Sequence, residues 1–146
     1  MAYDSLQIKK HGVYFNNDVI SNIVRSFKLK QKNSAIKKQL LKKLNGDVSE
    51  LQELVRGLTL LKEVSARSLD YLISFGERLS DDLVSYALQD IKKKSTALNG
   101  KEVGIVTDSN FGESRPLMDT TRIRISKTLG SLLAEKVIPV VGGFTG

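Results

Sequence analysis

Between Leu69 and Ile91, apolar or small residues recur at Leu72, Ile73, Gly76, Leu79, Ser80, Leu83, Val84 and Ala87, the longest helical pattern in the sequence. Steps of three and four are the spacing of an amphipathic helix. At about 100° per residue these positions share an arc roughly half the circumference wide. Arg78 falls nearly opposite the arc, where solvent is expected, with Asp82 four positions on as an ordinary surface pair. Glu77 falls on the rim, beside Ile73, Ser80 and Val84. A carboxylate there needs a partner, because burying an unpaired charge is costly. The helix offers none: Ile73, Ser74, Ser80 and Asp81 stand three and four positions away. Gly76 lies mid-arc, costs about 1 kcal/mol of helix propensity against Ala, and lets another element come close. Glu77 is therefore either a grip for a cation from outside the helix, or a carboxylate at the protein edge or paired with a distant Lys.

Composition narrows the classes. At 146 residues and 40% hydrophobic, the chain makes one domain or part of one. It has no Cys, no Trp and a single His, which excludes disulfides and Cys-based zinc sites and argues against other transition-metal sites. No apolar run approaches the roughly 20 residues of a membrane span, and the N-terminus lacks a signal-peptide pattern; a cytoplasmic protein is expected. The net charge of +7 is unevenly placed. Residues 1–46 hold ten Lys+Arg against two Asp+Glu, and the remainder is close to neutral.

In chain order, residues 1–16 read as loop or frayed helix. Val19, Ile20, Ile23, Val24 and Phe27 have helix spacing from Asp18 to Leu29, with Asn17 placed as a cap. A second helix is expected from about Ser34 to Leu44, capped by Asn33 or Ser34 and ended by Gly46. Lys37, Lys38, Lys42 and Lys43 form its outer face, which is either a solvated surface or a patch for an anionic partner such as nucleic acid. A third helix is expected from Val48 or Ser49 to Lys62, with Ser49 and Gln52 as a capping box. Ser65 caps the long helix, which ends near Lys92-Lys93-Lys94.

The pattern then changes. Asn99-Gly100 reads as a turn and Val103-Gly104-Ile105-Val106 as a buried strand. Thr107-Asp108-Ser109-Asn110-Phe111-Gly112 follows as a polar loop. Residues from Ser114 to Ile125 are ambiguous: Arg122-Ile123-Arg124-Ile125 alternates like a strand, yet Asp119 is placed to cap a helix. A helix is expected from about Thr121 to Glu135, with Ile125, Leu129, Leu132 and Leu133 inward. Val137 to Val141 is a second strand, and Gly142 to Gly146 a glycine-rich loop. Strand, helix, strand implies a right-handed parallel crossover. Ligands collect at the carboxyl ends of strands in open parallel sheets, which places the loops 107–112 and 142–146 and the Glu77 helix around one site.

Ser74-Phe75-Gly76-Glu77-Arg78-Leu79-Ser80 resembles the signature on the long helix of the aspartate kinase catalytic domain. The run Glu53-Leu54-Val55-Arg56-Gly57-Leu58 to Val64-Ser65-Ala66-Arg67-Ser68 looks like that family's lead-in. The 107–112 loop is a further match, and Pro139-Val140-Val141-Gly142-Gly143-Phe144-Thr145-Gly146 resembles the family's Pro-Val-Val-x-Gly-Phe-x-Gly. The resemblance runs from about residue 50 to the end; residues 1–49 match only as a generic helical region. It implies an α/β fold: a partial amino-acid-kinase-like parallel sheet, helix-rich over its N-terminal two thirds and followed by a strand-helix-strand unit. Residues 1–64 would be a helical subregion, and 65–146 the long helix plus a β-α-β core, of a single incomplete domain.

The resemblance implies an enzyme that phosphorylates the side-chain carboxylate of L-aspartate with ATP and Mg²⁺, the first step of lysine, threonine and methionine biosynthesis. Glu77 would bind the amino group of aspartate, and the backbone N–H groups of Phe111 and Gly112 would contact the substrate. Two family segments are absent from these 146 residues, Lys-Phe-Gly-Gly, whose Lys meets the transferring phosphate, and Gly-Gly-Ser-Asp on the nucleotide side. The chain is therefore expected to be a fragment holding no catalytic residue and no metal ligand, to bind neither ATP nor Mg²⁺ by itself, and to be inactive alone. A homo-oligomer, another amino-acid kinase with a different acceptor, and a basic nucleic-acid-binding module are the alternatives in partner and function.

Overall fold

The structure, a computed structural model, describes residues 33–143 of the chain. The expectations for residues 1–32 and 144–146 lie outside them. Four helices and two strands follow in the order α1 (Ser34–Leu61), α2 (Ala66–Asp90), β1 (Ser95–Leu98), α3 (Gly100–Val103), α4 (Met118–Ala134) and β2 (Ile138–Val141). This is a mixed α/β arrangement, rich in helix and closing on a strand-helix-strand unit.

The two helices expected either side of Gly46 are one. Asn33 caps α1, its side chain accepting from the Ala35 N–H at 3.1 Å, and the helix runs for 28 residues. Leu40, Leu44, Val48, Leu51 and Leu58 form an unbroken buried stripe through the glycine. Gly46 sits on the exposed side with nothing near it, so its propensity cost of about 1 kcal/mol is small against a stripe in which each buried Leu contributes roughly 1.5–3 kcal/mol. Ser49 makes no capping box; its hydroxyl donates to the Asn45 carbonyl at 2.9 Å, inside the helix. Ser65 caps α2 as expected, accepting from the Ser68 N–H at 3.1 Å.

The buried face of α2 is turned from the one its apolar periodicity implies. Leu79 and Leu83 are inside, but so are Phe75, Asp82 and Ser85, while Leu69, Ile73, Val84 and Ile91 are exposed. The reason is that α2 is covered on two flanks, by α1 on one and by the strands on the other. On the α1 flank, Leu79 and Leu83 pack against Leu40, Leu44 and Val48, with Leu41 and Tyr86 at the margin.

Arg78 is not a surface residue, and Asp82 is not its partner. Its guanidinium reaches α1, donating to Asp47 at 2.6 Å and Glu50 at 2.9 Å, and stacks 4.5 Å over the Phe75 ring. Burial works against that cation, but the Glu50 and Asp47 carboxylates outweigh it and hold the guanidinium more firmly protonated than usual. Asp82 instead meets Lys43 at 3.3 Å, and Lys43 also pairs with Asp47 at 2.8 Å. Lys43 thus pairs with two carboxylates while staying half in solvent, and Lys37, Lys38 and Lys42 are exposed as well. Tyr71 donates its hydroxyl to Glu50 and closes the seam.

The first strand lies eight residues earlier than expected. Ser95 is fastened to α2: its hydroxyl donates to the Ser85 carbonyl at 2.6 Å, and its carbonyl accepts from Gln89 Nε2 at 3.0 Å. Asn99 and Glu102 then form a capping box, so the chain enters a helical turn where a strand is expected. Val103 is buried from that turn, and Gly104 leaves it at φ 105°, a left-handed conformation that suits glycine. A side chain at Gly104 would also meet Arg124 Cβ at 2.6 Å.

β1 and β2 pair in parallel, Ser95 with Ile138 through Leu98 with Val141, as the strand-helix-strand order implies. Between them α4 starts at Met118, three residues earlier than expected. Leu117 is its N-cap, without a side-chain bond, and Asp119 lies in the first turn rather than capping. Thr121 is the buried residue of α4, and Leu133 is 61% exposed rather than inward.

The clamp on Arg78 makes a prediction. Arg78→Ala breaks two charge-assisted bonds to α1 and should lower stability by about 2 kcal/mol, with Arg78→Lys recovering part of it. Urea denaturation midpoints check this; an unchanged midpoint for the alanine variant would return Arg78 to the surface.

Candidate functional site

Fixing Arg78 on α1 turns the adjacent Glu77 to another flank, because neighbours on a helix point about 100° apart. Glu77 faces the end of β2, where its Oε2 accepts the Gly143 N–H at 2.9 Å. Asp81, one turn along α2, lies against Gly142. The carboxylates line a cleft of about 470 Å³ with Tyr71, Ser74, Arg78, Asn99, Lys101 and Thr107 among its other walls, a size that ordinarily suits a small ligand. Among the described residues no basic side chain forms an ion pair with Glu77.

Asp81 is in an unusual electrostatic position. Burial pushes its carboxyl up to about 6, the neighbouring Glu77 charge and then Asp82 add to the rise, and a backbone hydrogen bond from Gly142 pulls the other way. Asp82 is likewise raised by burial, against the opposing pull of Lys43.

Phe111 and Gly112 occupy the neighbouring stretch of the same surface. The segment 106–117 folds back on itself: Leu117 N–H donates to the Val106 carbonyl at 2.8 Å, Asp108 N–H to Arg115 at 3.0 Å, and Thr107 pairs with Pro116. Asp108 Oδ1 accepts from the N–H groups of Asn110 and Arg115, both at 3.1 Å. Thr121 holds this unit to α4, accepting from the Val106 N–H at 3.0 Å and donating to its carbonyl at 3.1 Å. The tip reaches α2 two turns before Glu77. There the Gly112 N–H donates to the buried Asp70 at 2.7 Å, and Arg67 sits 5.6 Å from the Phe111 ring. A second cleft, of about 520 Å³, is lined by Arg67, Asp70, Lys101 and Phe111 together with Tyr71 and Ser74. Tyr71, Ser74 and Lys101 are common to both clefts.

The structure thus brings Glu77 together with the 142–143 turn and sets Phe111 in the adjoining cleft, while the Gly112 N–H, expected to meet substrate, is given to Asp70. Sequence reasoning missed Asp70, Lys101 and Asp81. Asp81 had a signal: four residues from Glu77 it shares that flank. Asp70 and Lys101 had none, since their places depend on how the loop folds back.

Fit to a metal is limited. Among the described residues no group of three Asp, Glu, His or Cys side chains is placed to hold a metal ion. No helix among them is long and apolar enough to cross a membrane.

The raised Asp81 carboxyl predicts a pH effect. Its folded value of about 6 lies above the usual 3.8, so the stability it contributes is full below about pH 4 and lost as pH rises through 6. Asp81→Asn removes that loss. The variant should therefore gain melting temperature over wild type at about pH 8 but not at about pH 4; circular-dichroism melts that show the same difference at both pH values would refute it.

Compared with known proteins, residues 15–146 match the model of the amino acid kinase family. The chain is 38% identical over 96 residues to chloroplastic aspartokinase 3 of Arabidopsis thaliana, covering 66% of this chain and 17% of that protein. To the aspartokinase of Geobacillus stearothermophilus it is 37% identical over 83 residues, covering 56% of this chain and 19% of the other. The chain thus spans about a fifth of the length of these relatives. Its fold is similar to that of Escherichia coli aspartokinase III, crystallised with aspartate and ADP in the R-state, at a TM-score of 0.68 and 20% identity over 86% of this chain and 27% of that one.

Proposed function

The chain belongs to the amino acid kinase family, and from that premise we propose that it is the acceptor-binding part of an aspartokinase, an enzyme that transfers the γ-phosphoryl group of ATP to the side-chain carboxylate of L-aspartate. The observation that carries this reading is Glu77: a carboxylate at a ligand-sized cleft, bonded to one backbone N–H and to no cation among the described residues. Its role is to accept the ammonium group of aspartate. The aspartokinase relatives, and the aspartate named in the similar structure, support aspartate as the acceptor. Phe111 and the loop about it, with Gly112, close the acceptor side from the adjoining cleft.

The chemistry asks little of this part of the enzyme beyond placement. The acceptor carboxylate, with an ordinary value of about 3.9, is already ionised at neutral pH and needs no general base. Phosphoryl transfer then depends on alignment and on neutralising the phosphate charge, which Lys and Mg²⁺ supply in kinases. The 146 residues contain no Lys-Phe-Gly-Gly segment, so we assign them acceptor recognition and not phosphate clamping. The cysteine-free sequence suits a reducing compartment such as the cytoplasm. A nucleic-acid-binding reading is weaker, because Lys43 is spent on Asp47 and Asp82 and it leaves Glu77 without a role.

Two measurements test the proposal. The purified 146-residue chain should show no turnover with ATP, Mg²⁺ and aspartate, and measurable product would refute the division of labour. In the enzyme that contains this segment, Glu77→Gln should raise the KM for aspartate by about 100-fold, a loss of roughly 3 kcal/mol, and leave the KM for ATP nearly unchanged. Equal effects on both substrates would make Glu77 structural.

A further inference from the structure

We propose that Asp81 is a positioning residue of the acceptor site: it grips the Gly142 backbone while Glu77 grips Gly143, and this two-carboxylate latch fixes the turn after β2 and aims Glu77 into the cleft. The inference rests on the reading of Glu77 as the ammonium acceptor.

Three observations carry it. A side chain at residue 142 would place its Cβ 2.7 Å from Asp81 Oδ2, 3.0 Å from Glu77 Cβ and 3.0 Å from Glu77 Oε2. Gly142 is not in a left-handed conformation, so what requires glycine there is the space the carboxylates occupy. Second, both turn residues lie against carboxylates of α2: the Gly143 N–H donates to Glu77 at 2.9 Å, and Asp81 Oδ2 stands over Gly142 in the space a Cβ would take. Third, Asp81 is 8% exposed, and among the described residues it takes part in no ion pair. A buried carboxylate beside a second one is unfavourable unless something holds both, and here the shared contact is the turn.

The arrangement couples the site to pH. The groups around Asp81 are Glu77 and Asp82 on α2, with Arg78 and Lys101 on the same cleft. Asp82 and Arg78 are committed to α1. When Asp81 ionises, near pH 6, its grip on the Gly142 N–H strengthens, and a second negative charge is added at the ammonium position.

The test follows the Gly142 and Gly143 amides by ¹⁵N–¹H correlation spectra of the 146-residue chain, from about pH 4 to about pH 8. Both should shift together with an inflection near pH 6. Asp81→Asn, and independently Gly142→Ala, which displaces the carboxylate, should abolish it. No inflection in wild type overturns the latch. So does one that persists in Asp81→Asn, which would belong to another group. In the complete enzyme, Asp81→Asn should raise the aspartate KM about tenfold, flatten its pH dependence and leave kcat within about twofold. An unchanged KM with the glycine inflection present overturns the positioning role. Failure of the aspartokinase reading itself would show differently, as an aspartate KM indifferent to Glu77→Gln.

Discussion

Asp47 is the residue on which the rest of the architecture turns. It lies on α1 with a nearly buried side chain, and two cations converge on it, Lys43 from its own helix and Arg78 from α2. A carboxylate this buried is tolerable only with partners, and those partners set how α2 is rotated about its axis. Once Arg78 is committed to α1, Phe75 is pinned beneath it, Leu79 and Leu83 enter the core, and Glu77 and Asp81 come round to the end of β2. The seam borders the cleft through Arg78 and Tyr71, and it decides which other side chains can reach it.

A second constraint fixes the other wall. The segment 106–117 would be a free excursion between α3 and α4, but Thr121 bonds both the N–H and the carbonyl of Val106 and Gly104 permits close approach of the α4 backbone. Asp70 then receives the tip through Gly112. The two clefts along α2 are thus bounded by elements that each have one hydrogen bond to that helix: the turn after β2 at Glu77, and the folded-back segment at Asp70. A single helix bearing acceptors at Asp70 and, two turns on, at Glu77 aligns two loops that are distant in sequence.

Much of this was legible beforehand, for identifiable reasons. Caps are local, and Asn33 and Ser65 behave as their side chains dictate. The short apolar run Val137–Val141 makes a strand, and its pairing with an earlier one is parallel because a helix intervenes. Where the reading failed, a local signal was overruled by a longer-range one. Gly46 looked like a helix end, but the leucine stripe continues in phase across it. Val103–Val106 looked like a strand because it is apolar, whereas the actual strand, Ser95–Leu98, is half polar and held by hydroxyl bonds to Ser85.

The sequence by itself determined the presence of the long helix, its start, the second strand and its parallel sense, and the identity of Glu77 as a carboxylate without a partner on its own helix. These rest on spacing, capping and the covalent order of the chain. Only the tertiary structure decided which way that helix faces, because apolar periodicity registers buried hydrophobic groups and is silent about buried charge. Asp47, Asp81 and Asp82 are inside and Ile73 and Val84 outside because contacts from other elements set the rotation of α2: Arg78 reaches Asp47, Lys43 reaches Asp82 and the turn after β2 meets Asp81, and those partners lie tens of residues away in the chain.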